Sequence, residues 1–159
     1  MANITVISVG TLKEKYLKDA IEEYKKRLSL YARVEEINLK EERIANEDDS
    51  SEVARALDAE GDRIISAIPK GAAKIALCVE GKQYDSPGLA ALIGRLCDES
   101  GKIALIIGSS HGLSPRVKKE CDVRLSVSEL TFPHQLMRVL LMEALYRSFT
   151  ILAGKKYHK

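Results

Sequence analysis

The chain is poor in cysteine and has no long apolar run. Cys78, Cys97 and Cys121 stand 19 and 24 positions apart among 159 residues. There is thus neither a Cys-x-x-Cys pair nor an even set for a disulfide framework, and each cysteine reads as a small buried side chain. No hydrophobic stretch approaches the ~20 residues that a membrane span requires. Met1 to Gly10 reads as a short strand, too short and uncharged for a signal peptide, so a cytoplasmic protein without membrane contact is expected. The three histidines, His111, His134 and His158, fall in different loops or termini. No pair has metal-ligand spacing, which argues against a zinc site and predicts no bound metal. A Gly-x-Ser-x-Gly elbow, a Cys-His nucleophile signature, a Gly-x-Gly-x-x-Gly fingerprint and a Walker loop are all missing, which leaves covalent hydrolase chemistry without support.

What is present is a length typical of one domain, read as a single unit over residues 1–159 with no repeat, linker or low-complexity tract. The formal net charge of +2 conceals a division along the chain. Residues 35–62 hold 11 acidic and 3 basic side chains, a net −8, whereas residues 12–33 carry +3 and residues 138–159 carry +4. Basic segments of this kind either steer a polyanion such as RNA or are ordinary solvated helix faces.

Hydrophobic periodicity switches repeatedly between strand and helix. Asn3–Val9 is a β-rich run, and Leu17, Ala20, Ile21, Tyr24 and Leu28 take helical spacing within 12–30. A strand over 34–39, an acidic loop, and a helix over 52–67 capped by Ser50 or Ser51 follow. Ile75–Val79 reads as a short buried strand, Ser86-Pro87 opens a helix, and 102–107 is the most hydrophobic strand. A short helix after Ser114-Pro115, a strand at 123–125 and a helix from about Pro133 to Leu152 complete the series. This alternation predicts an α/β sandwich with a mainly parallel sheet. In such sheets ligands bind beyond the carboxyl ends of the strands, so the loops after Val79, Ile107 and Leu125 form the candidate site.

Three segments carry the chemistry. Ile106-Ile-Gly108-Ser-Ser-His-Gly112 runs from a strand into a glycine-bounded turn. Such a turn either brings backbone close to a flat or charged ligand or merely connects strand to helix. The closing helix has Leu136, Val139, Leu140, Leu141, Met142, Ala144, Leu145 and Phe149 around much of its circumference. That distribution suits two buried faces, one on the sheet and one on a second subunit, or else a central helix inside a monomer. Glu143 and Arg147 have i,i+4 spacing. His134 begins the first turn, where helix packing and catalysis are both open to it. The terminal Lys155-Lys-Tyr157-His158-Lys159 either stacks a base on Tyr157 with lysines on phosphate, or is a frayed end.

With these residues in view, the chain resembles the RlmH-type methyltransferases of the SPOUT class. The likeness spans nearly the whole chain: Val9-Gly-Thr-Leu-Lys-Glu-Lys-Tyr16, Glu23-Tyr-Lys-Lys-Arg-Leu28, Leu77 to Gly81-Lys82, Ile107-Gly108, Leu130-Thr-Phe-Pro-His-Gln-Leu136 with Arg138, Glu143 and Tyr146-Arg147, and Tyr157-His158-Lys159. The resemblance implies a SPOUT-type trefoil-knotted α/β fold, a homodimer, and S-adenosyl-L-methionine as methyl donor. It further implies methylation of N3 of a pseudouridine in helix 69 of 23S rRNA within the ribosome. By the same likeness the cofactor pocket is built from Leu77, Gly108, Val127, Ser128, Glu129, Leu130, Thr131 and Phe132.

Methylating N3 requires removal of its proton, and the candidates are His158 and His134, with Arg138 as electrostatic support and Tyr157 stacking or orienting the base. The chain departs from the family pattern at Ser109, where a second glycine is common, at Ala144 for glutamine, and at Lys156 for proline. Two rival readings are a SPOUT enzyme acting on transfer RNA and a catalytically silent ribosome-binding protein.

Overall fold

The computed structural model describes all 159 residues. In chain order the elements are β1 (Ala2–Val9), α1 (Lys15–Leu28), β2 (Ala32–Leu39), α2 (Ser50–Ala67), β3 (Ala73–Lys82), α3 (Ser86–Ser100), β4 (Lys102–Ile107), α4 (Pro115–Glu120), β5 (Val123–Leu125) and α5 (His134–Leu152). Every strand pairing is parallel, in one sheet of order β2-β1-β4-β3-β5. The expected mainly parallel α/β architecture is therefore present, and the sheet is wholly parallel.

Residue alternation along the strands builds two cores. Ile4 and Val6 of β1, Ile75 of β3, and Ile103, Leu105 and Ile107 of β4 face α1, α3 and α5. Ile7 and Val9 of β1, Ala76 of β3, and Ala104 and Ile106 of β4 face α2 and α4. Period-2 strands buried on both sides read as near-continuous hydrophobic runs, which is what 102–107 shows. Helix α5 packs against both α1 and α3 and buries Leu141, Met142, Leu145 and Phe149 in the larger core. Truncating Phe149 to alanine there would cost about 3–5 kcal/mol.

Two local readings need correction. Helix α2 is capped by Asp49, whose carboxylate accepts from the Ser51 and Glu52 amides, and Ser50 is already the first helical residue. An aspartate one position earlier completes the same cap chemistry while adding charge favourable to the helix dipole. Strand β3 does not stop at Val79. Its pairing with β5 shifts register between Leu77 and Lys82, so residues 78–81 bulge outward and leave Val79 73% exposed.

Candidate active site

Beyond the carboxyl ends of β3, β4 and β5 lies a cavity of about 680 Å3. Two of its walls come from the loops marked in the sequence after Ile107 and Leu125, and the other comes from the bulged end of β3 itself and not from a loop after Val79. The β3 bulge supplies Leu77, Cys78 and Val79. After β4 the chain folds into a tight turn in which the Gly112 amide donates to the Ser109 carbonyl at 2.9 Å. A Cβ at Gly108 would sit 2.3 Å from the Gly112 carbonyl oxygen, a backbone atom that cannot yield. Glycine is required there for the turn to close on itself. After β5 the Ser128 hydroxyl accepts from the Leu130 amide at 3.0 Å while the Ser126 hydroxyl donates to the Ser128 carbonyl at 3.2 Å, curling the third wall.

Of the residues expected to hold a cofactor, Leu77, Gly108, Val127, Ser128, Leu130, Thr131 and Phe132 all line this cavity. Glu129 lies in the same loop but does not face the cavity. Val79, Val127 and Leu130 are large apolar side chains left exposed, Leu130 by 71%, and all three rim the opening. An apolar rim around a concave site suits a flat nucleoside better than water. Burial, then the Glu80 carboxylate, holds the Cys78 thiol in the wall above its ordinary value, which disfavours the thiolate. A second cavity of about 590 Å3 lies across the Ser109–Gly112 turn, where His111 is shared and Asp48, Asp58 and Arg116 contribute to the lining.

One functional residue escaped the sequence reading. Glu60 of α2 is only 3% exposed, and its carboxylate accepts from the Glu42 amide at 2.9 Å and from the Ser109 hydroxyl at 3.1 Å. It braces the Gly108 turn from behind. Burial raises its pKa above the ordinary 4.5, against the lowering effect of those two hydrogen bonds. The available signal was Ser109 itself, since a hydroxyl introduced at a buried turn must find a partner.

The four candidate catalytic residues are not gathered in one place. His134 lines the cavity. Arg138 is 1% exposed, and its guanidinium donates to Asn38 Oδ1 at 2.9 Å, the Gly10 carbonyl at 2.8 Å and the Val9 carbonyl at 3.3 Å. It therefore pins the start of α5 to the ends of β1 and β2 and does not reach the cavity. Tyr157 and His158 lie at the other end of α5. The chain turns back after the helix, with the Lys155 amide donating to the Thr150 carbonyl at 2.9 Å. The Tyr157 hydroxyl then donates to Glu143 Oε2 at 2.9 Å.

Arg147 binds the other oxygen of Glu143, Oε1, at 2.6 Å, lies 4.6 Å over the Tyr157 ring, and places Nη1 3.4 Å from His158 Nδ1. Tyr146 meets the Tyr157 ring edge-on at 4.8 Å. The tail is thus docked through a charge-assisted hydrogen bond and a cation–π contact. Burial, then the Glu143 carboxylate, raises the Tyr157 pKa, so its phenol stays a donor. Met137, which lines the cavity, is ten residues from Arg147 along α5, about 15 Å at 1.5 Å per residue.

Comparison with known proteins gives these features a context. Residues 2–158 match the family model described as a predicted SPOUT methyltransferase. A protein of Caldicellulosiruptor saccharolyticus named ribosomal RNA large subunit methyltransferase H is 44% identical over 156 residues, 98% of this chain and 99% of its own. A protein of the same name from Shouchella clausii is 46% identical over 158 residues, 99% of each chain. Among solved structures, a probable methylase family protein from Haemophilus influenzae superposes with a TM-score of 0.62 at 16% identity, covering 98% of this chain and 70% of that one. A probable methyltransferase from Bordetella pertussis gives 0.60 at 17% identity, with 93% and 96% covered. These two share the fold.

Proposed function

The chain belongs to the SPOUT methyltransferase family, and from that premise we propose that it is a homodimeric, cytoplasmic ribosomal RNA methyltransferase. In this reading it uses S-adenosylmethionine to methylate N3 of a pseudouridine in helix 69 of 23S rRNA. The names of its relatives support the substrate class. The observation that carries the reading is the cavity closed at Gly108, where the β3 bulge and two strand-end loops converge and apolar side chains stand exposed around the mouth.

S-adenosylmethionine fits this donor set. Leu77 and Phe132 offer apolar walls, the exposed rim of Val79, Val127 and Leu130 would be covered by a nucleoside, and Gly108 admits close approach to backbone. Bound there, the cofactor supplies an electrophilic methyl group on a sulfonium.

The chain's own residues must hold the uridine ring and take the N3 proton. His134 is in place beside the cavity. His158 is remote in its own chain, so its part as base requires the tail of one protomer to meet the cavity of its partner. Arg147, beside both Tyr157 and His158, adds a positive field where negative charge develops on the ring. Tyr157, fixed by Glu143, orients that ring. Arg138 acts as a positioning residue that fixes the origin of α5, and with it His134. N3 lies on the base-pairing edge, so the target nucleotide must be unstacked or flipped out.

The test is a mass-spectrometric map of ribosomal RNA from cells with and without the protein. Loss of one methylpseudouridine in 23S rRNA is expected. Methyl incorporation into bulk tRNA and not into ribosomes would replace this reading with the transfer-RNA one.

A further inference from the structure

A third cavity, of about 520 Å3, opens at the carboxyl ends of β1 and β2, lined by Thr11, Lys13, Asn38, Lys40, His134 and Gln135 among others. His134 also faces the candidate cofactor cavity, so the two are neighbours across one side chain. Lys13 and Lys40 are exposed, and neither ammonium has a carboxylate partner. Glu41 is the one acidic side chain in the lining.

Beneath the groove lies an unusual charge. The Arg138 guanidinium is buried, makes no ion pair, and leaves Nε without any partner. Its contacts are the Asn38 side chain and the Val9 and Gly10 carbonyls, and Asn38 and Gly10 both line the groove. A side chain at Gly10, whose φ is +92°, would stand 3.9 Å from Arg138 Nη2 and 3.5 Å from Glu41, so its absence keeps the floor bare. A buried cation with no hydrogen-bonded carboxylate is costly even with the Glu36 charge acting on it from a distance, and low dielectric lets its field act on the space above. An anion in the groove would offset that cost.

We infer that this groove binds the phosphodiester backbone of the RNA strand beside the target nucleotide, with Lys13 and Lys40 as the phosphate contacts and His134 marking the passage to the methyl donor. The inference rests on the proposed RNA substrate. Two lysine contacts to a single strand release counterions and contribute about 1.4 to the slope of log affinity against log salt.

The experiment compares wild type with the double variant Lys13→Gln/Lys40→Gln. Both side chains are exposed, so the fold is retained, as a melting curve verifies. The substrate is large ribosomal subunits lacking the modification, with S-adenosylmethionine binding measured separately by calorimetry. The expected result is a KM for subunits raised roughly tenfold near 0.15 M salt with kcat within about twofold, and a salt slope lower by about 1.4. Cofactor affinity stays unchanged. A control variant, Lys70→Gln/Lys102→Gln, removes the same charge at the amino ends of β3 and β4 and keeps the wild-type slope.

An unchanged KM and slope, an equal loss in the control, or a fall in S-adenosylmethionine affinity instead would each overturn the inference. Should wild type transfer no methyl group to ribosomal RNA, the functional reading fails. The groove is then still judged by the salt slope for a single-stranded oligoribonucleotide.

Discussion

The two ends of α5 are built on opposite plans. At its start, His134 stands at the junction of two cavities while Arg138 holds the helix to the strand ends. Here open space is framed by backbone turns. At its end, Glu143, Tyr146, Arg147, Tyr157 and His158 contact one another in a single side-chain cluster. The first end can receive a ligand, and the second can present side chains to one. With about 15 Å of helix between them, the two ends meet in one site only through the second protomer of the proposed dimer.

Removing the imidazole from the presenting end should produce the largest effect. His158→Ala is expected to slow methylation by about a hundredfold or more, as loss of a general base does, while S-adenosylmethionine affinity stays within about twofold. Near-normal turnover would break the comparison, leaving His134 as the proton acceptor.

At the receiving end, Gly108→Val meets the Gly112 carbonyl and should weaken cofactor binding tenfold or more, at least about 1.4 kcal/mol. Calorimetry showing unchanged affinity would remove Gly108 from the pocket. Tyr157→Phe is a milder change that separates docking from chemistry. It deletes one hydrogen bond to a carboxylate, about 1.5–3 kcal/mol at most, and should speed hydrogen exchange at the Lys155 amide without altering cofactor affinity.

The smallest effect concerns the brace behind the pocket. The folded pKa of Glu60 lies above the 4.5 of an unperturbed carboxyl. The folded chain therefore keeps this proton longer, and the stability it contributes is fully present below 4.5 and is lost as pH rises through the folded value. Glu60→Gln has no such titration. Its stability relative to wild type should improve between pH 4 and pH 7 in denaturant titrations, and a constant difference would show that Glu60 is not held as described. Tail exchange should not change, which keeps the two regions distinct.

Much of this contrast was legible in the residues. Alternation through Ile103, Ala104, Leu105, Ile106 and Ile107 displays a strand buried on both faces, and the loops after β4 and β5 were marked by strand ends alone. The docked tail was less visible, because Tyr157 finds Glu143 only through a chain reversal that periodicity does not encode. Arg138 read as electrostatic support for the chemistry, since a lone arginine on a helix shows no sign that it will be buried against carbonyls 100 residues and more away in sequence. Glu60 was hidden by its neighbours, being one of 11 acidic residues between 35 and 62. Asp49 was passed over as a cap because two serines follow it. The β3 bulge depends on where β5 pairs, a long-range fact that 10 residues of strand cannot carry. A knot leaves no mark on hydrophobic periodicity, so that expectation came from the family resemblance alone.

The central claim is that one protomer's tail serves its partner's cavity. Mixing His158→Ala chains with folded Gly108→Val chains in equal amounts, after dissociation and reassociation, tests it most directly. Random pairing makes about half the dimers mixed, each with one site of intact cavity and intact tail. The account predicts recovery of about a quarter of wild-type methylation from two inactive parents, and a mixture that remains as inactive as either parent would contradict it.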